Sequence, residues 1–337
     1  MNSRERVIRT LKFENPDRVP RHLWRLPGAK MFRSEGVKRI LEKYPEDITI
    51  LDFNYGKGTR TSGTRYLRSE TATDEWGCQW VVGEDGVTGE VKNPPIRNLA
   101  DVKKLTAPYE ILDGADFPKV NTMCAETDKF TLAWTTVRPF ERMQFLLGPE
   151  KLFMELGYGS REIYKLRDIL HDFYLEELKR WVRTDVDGIS FMDDWGYQRS
   201  LLISPAMWRD IFKPLYRDYC DLIHSAGKFA FFHSDGFIEE IYSELIEVGI
   251  DAVNSQLFCM NMEELGRKYK GKITFWGEMD RQQILPFGTK QEVIEAVKRF
   301  KNSLWMPQGG IIAQCEFGLK DPVENIETVF ETWQSIA

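Results

Sequence analysis

The sequence predicts an α/β protein of the TIM type, a single (β/α)8 barrel spanning residues 1–337. From about residue 130, short β-prone runs alternate with helical stretches, which is the pattern of βαβ units and a parallel sheet. No glycine-rich turn follows an early strand, the usual mark of a doubly wound open sheet. At 337 residues, length alone suggests about two domains, but α/β barrels run this long as one unit.

The elements follow in order. Residues 3 to 13 are expected to form an amphipathic helix with Ser3 as N-cap, closed by Asn15-Pro16. Apolar runs near 19–24 and 47–53 supply two strands. Residues 57 to 100 are rich in Gly, Thr and charge. They carry a hairpin signal, Cys78-Gln-Trp-Val-Val82, then Gly-Glu-Asp-Gly86, then Val87-Thr-Gly-Glu-Val91. They are read as a small β excursion near the barrel mouth. Further strands are expected at 131–137, 187–195, 228–236, 250–256, 272–279 and 309–315, which completes eight. Ser204-Pro205 opens a helix that stops at Gly227. Thr289 with Glu292 forms a capping box, and Asp321-Pro322-Val-Glu324 opens the last helix in the same way.

The charge balance is 46 Lys+Arg against 52 Asp+Glu, a net −6. A mildly acidic chain without a basic block is a poor coat for nucleic acid or an anionic membrane. Five scattered cysteines form no Cys-x-x-Cys, so neither a disulfide framework nor a zinc finger is expected. The N-terminus lacks a signal-peptide core and no run is long enough to span a bilayer. The expectation is a soluble, cytoplasmic protein, a monomer or homodimer.

In β/α barrels the site is built at the C-terminal ends of the strands. Those ends are polar here: Asp193 and Asp194, His233 and Asp235, Asn254 and Gln256, Glu278, and Cys315. His233 and Asp235, two apart on a strand, point to one side. Cys315, at the end of the last strand, stands near the first. Imidazole, carboxylate and thiolate together offer three zinc ligands with an open fourth position. The simpler reading is a satisfied strand-end histidine and an inert cysteine. One of Asp193 and Asp194 faces the cavity and can act as acid, base or cation partner; either can instead cap the following loop. Trp24, Trp134, Trp195 and Trp276 are candidates for the walls of an aromatic pocket. His22, His171 and His224 have no partner in sequence and are assigned nothing.

These stretches resemble the uroporphyrinogen decarboxylase superfamily. The matching segments are RERVIRTLKFENPDRVP at the start, FMDDWGYQ with ISPAMWRDIFKPLY, FHSDGFIEEIYSELIEVGIDAVNSQ, FWGEMDRQQILPFGTKQEVIEAVK and DPVENIE. The resemblance covers almost the whole chain and implies a β/α barrel. It also implies one of two activities, tetrapyrrole decarboxylation or zinc-dependent methyl transfer involving a corrinoid protein. The decarboxylase branch carries two arginines in its N-terminal segment. Arg25 and Gly28 match that pattern, but Ala29 replaces the second arginine, and a polycarboxylate needs paired cationic clamps. Asp52 stands at the place of the decarboxylases' central aspartate, in different surroundings.

The methyltransferase branch implies a zinc cysteine at Cys315 and His-x-Cys at 233–235, where Asp235 replaces the thiolate. The expected function is therefore zinc-dependent methyl transfer from a small methoxylated or methylated compound to a corrinoid protein. Zn²⁺ is expected on His233, Asp235 and Cys315, with Glu278 as a further candidate ligand. Catalytic roles fall to His233, Asp193, Asp235 and Glu278. Substrate binding falls to Arg25, Asp52, Trp134, Asp194, Trp195, Gln198, Asn254, Gln256 and Trp276. The alternatives are a metal-free decarboxylase using Arg25 and Asp52 or Asp193, and a non-catalytic binding protein.

Overall fold

A computed structural model describes residues 1–64, 66–68 and 71–336. Eight strands form a nearly closed parallel barrel: β1 (Arg21–Arg25), β2 (Ile48–Ile50), β6 (Phe130–Trp134), β7 (Gly188–Met192), β8 (Phe229–Ser234), β9 (Ala252–Ser255), β10 (Thr274–Trp276) and β11 (Ile311–Phe317). Their order is β1-β11-β10-β9-β8-β7-β6-β2, and helices lie between most of them. First and last strands pair in parallel, with Leu23 opposite Cys315. β1 and β2 share no ladder. They are joined at the base by Asp47, whose N–H donates to Arg21 O at 2.9 Å. The buried Asp47 carboxylate accepts from Arg21 N, Arg6 and Arg18 at 2.7–2.9 Å.

Strand alternation sorts the side chains into two cores. Ile48, Phe130, Leu132, Phe231, Ala252, Trp276 and Ile312 fill the barrel interior, and Val7 and Leu11 of the N-terminal helix plug its base. Burying each of these two contributes about 1.5–3 kcal/mol. The intervening strand residues join the larger core beneath the helices.

The N-terminal helix runs Ser3–Leu11, and its N-cap is Asn2, whose side chain accepts from Glu5 N, not Ser3. Ser3 instead donates to Asp47. The helix expected over 204–227 breaks at Phe212 into Pro205–Ile211 and Lys213–Ser225, because Pro214 cannot donate within a continuous helix. The capping box of Thr289 and Glu292 is present. Asp321 does not mirror it, since its carboxylate accepts from Gly318 N.

The excursion holds an antiparallel sheet of β3 (Thr71–Thr73), β4 (Gln79–Val81) and β5 (Glu90–Asn93). The hairpin expected at the Asp85-Gly86 turn is wider than the sequence suggested, with Val81 opposite Glu90. The reason is docking: Gly86, at φ +78°, packs so closely on Gly28 that a Cβ would stand 2.5 Å from its Cα. No helix among the described residues is long and apolar enough to cross a membrane.

His22 lies fully buried inside the barrel, stacked on Trp276, whose indole N–H donates to His22 Nδ1 at 3.1 Å. Burial, with Arg25 and Lys129 nearby, pushes the imidazole pKa down from 6.5 to about 3. The unfolded chain therefore takes up a proton below about 6.5 that the folded protein refuses. His22 thus costs stability as pH falls from 6.5 toward 3, by up to about 1.4 kcal/mol per pH unit. Urea denaturation of His22→Phe at pH 6.5 and 5 is expected to show a shallower acid loss than the parent. Equal slopes would contradict the buried neutral state.

Candidate functional site

Just past β7 and at the end of β8, Asp194, His233 and Asp235 converge at the barrel mouth. One donor atom from each lies within 4.8 Å of the others. His233 Nε2 stands 3.6 Å from an Asp194 oxygen and 3.5 Å from an Asp235 oxygen. The alternation of β8 puts His233 and Asp235 on the same side, with Ser234 facing out between them. The strand ends meet because glycine permits it: a Cβ on Gly236, at φ +78°, would lie 2.2 Å from the Gly196 carbonyl carbon. Gly196 N donates to Asp235 O, and Asp235 N to Asp194 Oδ1 at 2.9 Å.

The histidine is oriented from behind. Asn254 Nδ2 donates to Trp276 O and to Gln314 Oε1 at 3.1 Å, so its Oδ1 must face His233 Nδ1, 2.6 Å away. Nδ1 therefore carries the proton, and Nε2 is turned toward the two carboxylates. This is the arrangement in which a histidine serves as a metal ligand with its outer nitrogen held by a hydrogen bond.

More acid surrounds this group. Glu278 and Glu316 are almost fully buried, and both meet Arg281. Burial and the neighbouring Glu316 hold the Glu278 carboxyl well above the usual range, against the pull of Arg281. Burial likewise raises Asp194, opposed by His233. Glu141 lies in the first turn of the helix Pro139–Leu147 that follows β6, where burial and Asp194 push it up to about 8. Arg138 forms an ion pair with it at 3.8 Å. Three ligand-type atoms with N and O donors, set in surplus negative charge, fit a divalent cation. Ligands about 2.0–2.2 Å from a tetrahedral ion stand roughly 3.3–3.6 Å apart, as the His233 separations do.

Several expected site residues lie elsewhere. Asp193 faces the helix layer, not the cluster. Its carboxylate accepts from Phe140 N at 2.8 Å, Glu141 N at 2.7 Å and the Tyr216 hydroxyl at 2.6 Å. It caps the helix Pro139–Leu147 and is fully buried, which pushes it up to about 7. Trp195 is stacked on Phe140 at 4.2 Å and donates to Tyr216, so it is core and not pocket wall. Trp276 is buried against His22, beneath the site. Asn254, expected to bind substrate, orients His233.

Cys315 lies away from the cluster as well. Ile312, Gln314 and Glu316 point into the barrel, so Cys315, one residue out of phase, is buried among the apolar side chains beneath the helices. Burial, with Asp321 and Glu316 nearby, pushes its thiol well above the ordinary range. Glu316 takes the inward place. Cys315→Ala is expected to leave metal content unchanged while costing about 1 kcal/mol of stability in urea. Loss of metal in this variant would restore the cysteine to the site.

Two cavities flank the cluster. The larger, of about 1180 Å³, opens over the ends of β1, β2 and β6 and is lined in part by Trp24, Trp134, Phe53, Arg25 and Asp52. Trp24 lines its wall on the cluster side, with its ring centroid 5.2 Å from that of His233. The smaller, of about 280 Å³, is lined by Gln198, Gln256, Glu278 and Arg281 among others. Gln256 also donates to Asp235 at 3.3 Å. Sequence reasoning missed Glu316, Glu141, Arg138 and Arg281. Extending the two-residue period from Gln314 would have found Glu316; the arginines lie outside the strands and gave no periodic signal.

A parallel barrel with a histidine–carboxylate cluster at its mouth belongs to the class of β/α-barrel enzymes. The chain belongs to the uroporphyrinogen decarboxylase (URO-D) family, whose sequence model matches residues 71–336. A methyltransferase from Methanosarcina mazei shares the fold, with a TM-score of 0.73 at 14% identity over 99% of both chains. Weaker likenesses include a Yersinia pestis DHPS (TM-score 0.37, 10% identity, 94% of both chains). A chitinase from Chromobacterium violaceum gives TM-score 0.41 at 9% identity, over 94% of this chain and 100% of its own. No curated protein sequence matches the chain.

Proposed function

We propose that the protein is a metal-dependent methyltransferase, moving a methyl group from a small methoxylated or methylated compound to a corrinoid carried by a partner protein. One observation carries this reading: His233 Nε2 and the oxygens of Asp194 and Asp235 converge with the imidazole already oriented by Asn254. Zinc is the ion proposed. Bound there, it would act as a Lewis acid on the heteroatom that holds the methyl group. The donor set is one nitrogen and two carboxylate oxygens, without thiolate. Such a set is hard, and suits an ether or alcohol oxygen better than a thiol.

The chain's own residues do the rest. Trp24, Trp134 and Phe53 offer aromatic surface that desolvates the substrate. The same cavity is lined by five cationic residues, Arg25, Lys30, Lys57, Arg138 and Arg142, against the carboxylates Asp52 and Glu75. Acid lies at the ends of β7, β8, β10 and β11 on the other side. This polarity favours a methyl donor with an anionic group, held at the Arg25 side with its methyl toward His233. Arg25→Ala is then expected to raise KM for a carboxylated methyl donor ten- to a hundredfold, roughly the loss of one charge-assisted hydrogen bond, with kcat little changed.

Metal analysis of protein purified without chelators tests the central claim. Stoichiometric zinc that chelators remove together with methyl transfer would support it; metal-free active protein would end it. One observation favours a second reading, decarboxylation of a carboxylated substrate: Arg25 and Asp52 line the same cavity. CO₂ release unaffected by chelators would select that reading.

A further inference from the structure

The guanidinium of Arg281 spends its three nitrogens on three different carboxylates. Nε lies 3.1 Å from Glu278 Oε1, Nη1 lies 3.0 Å from Glu316 Oε2, and Nη2 bonds Asp235 Oδ2. Only one of the three acids belongs to the histidine cluster. Asp235 is thereby divided: Oδ2 is taken by Arg281, while Oδ1 faces His233 and accepts from Gln256. Glu278 is 1% exposed, and its Oε2 is buried without a hydrogen-bond partner. A buried carboxylate oxygen with no partner is costly, and this one sits beside a cluster that would take a cation.

We infer that Arg281 sets the coordination number of the metal site. It restricts Asp235 to a single donor oxygen and holds Glu278 and Glu316 out of the ion's first shell. Three protein donors and an open position then remain, as a site that must admit a substrate atom requires. Without this guanidinium, the second oxygen of Asp235 and the carboxylate of Glu278 are free to close on the ion. The site would become crowded with oxygen, tighter for hard cations and shut to substrate. Arg281 is a positioning residue here, acting through the acids it holds. The inference rests on the metal reading above.

The test compares the parent with Arg281→Met and Arg281→Lys, using zinc and manganese added to chelator-treated full-length protein. Calorimetry gives affinity, X-ray absorption at the metal edge counts neighbours, and melting with and without metal reports the coupling to stability. Removing one positive charge beside a cation strengthens binding by Coulomb's law alone, so affinity is not sufficient by itself. In Arg281→Met, zinc is expected to bind at least about tenfold more tightly, with an added oxygen neighbour and a larger metal-induced rise in melting temperature.

Lysine keeps the charge but cannot fork to three acids. Arg281→Lys is therefore expected to gain the extra oxygen neighbour with little change in zinc affinity, and to improve manganese binding relative to zinc. Should Arg281→Met fold only with metal present, the lysine variant carries the test. Unchanged neighbour counts in both variants would overturn the inference while leaving the metal reading intact. A parent that binds no metal would instead remove the reading beneath it.

Discussion

His233→Ala is expected to abolish stoichiometric metal binding and to lower methyl transfer by at least about a hundredfold. His233 is the only nitrogen donor in the cluster, and its neighbours fix its tautomer. With Nδ1 committed to Asn254, Nε2 is the one lone pair aimed between Asp194 and Asp235. Alanine leaves two carboxylates facing each other with no neutral ligand between them. The measurement is metal content after dialysis, alongside turnover of a methylated substrate. Unfolding does not confound it, because far-UV circular dichroism separates a folded apo-protein from a lost fold. A variant that retains metal and turnover would show that the cluster is an ion pair and nothing more.

The second large effect separates two adjacent aspartates. Asp193→Ala is expected to destabilise the fold by about 3 kcal/mol, combining a lost helix cap with a buried tyrosine hydroxyl left without its acceptor. Two backbone N–H groups and Tyr216 depend on that carboxylate. Asp194→Asn should change stability by less than about 1 kcal/mol, since an amide oxygen can still accept from Asp235 N. It should weaken metal binding ten- to a hundredfold by removing a charged ligand. Urea midpoints and metal titrations on both variants decide the matter. If the pattern were reversed, with Asp193 governing metal and Asp194 governing stability, the orientation of this strand end would be wrong.

Much of the barrel was legible because its signals are local. Strands alternating with capped helices announce a parallel sheet, and all eight expected strands are present. The His233–Asp235 pairing was legible too, since residues two apart on a strand share a face. Cys315 was misplaced for a related reason. The strand expected over 309–315 ends on Cys315, but a shift of one residue turns a strand side chain to the opposite face. Gln314 and Glu316 are the inward pair, as their contacts with Asn254 and Arg281 show. Asp193 and Asp194 posed the same question, and the sequence could state it without choosing.

The sequence by itself determined the fold class, the strand and helix order, the polar strand ends and the candidacy of His233, because each rests on spacing along the chain. Tertiary structure alone decided which of two adjacent residues meets the histidine, which cation meets the acids, and which tryptophans wall the cavity. Arg281 meets Asp235 from 46 positions away in the sequence, and Asn254 meets Gln314 from 60. The physical reason is that periodicity fixes a side chain's face, whereas its partner is fixed by register between strands and by where loops return. Those are properties of barrel closure, written in no single segment.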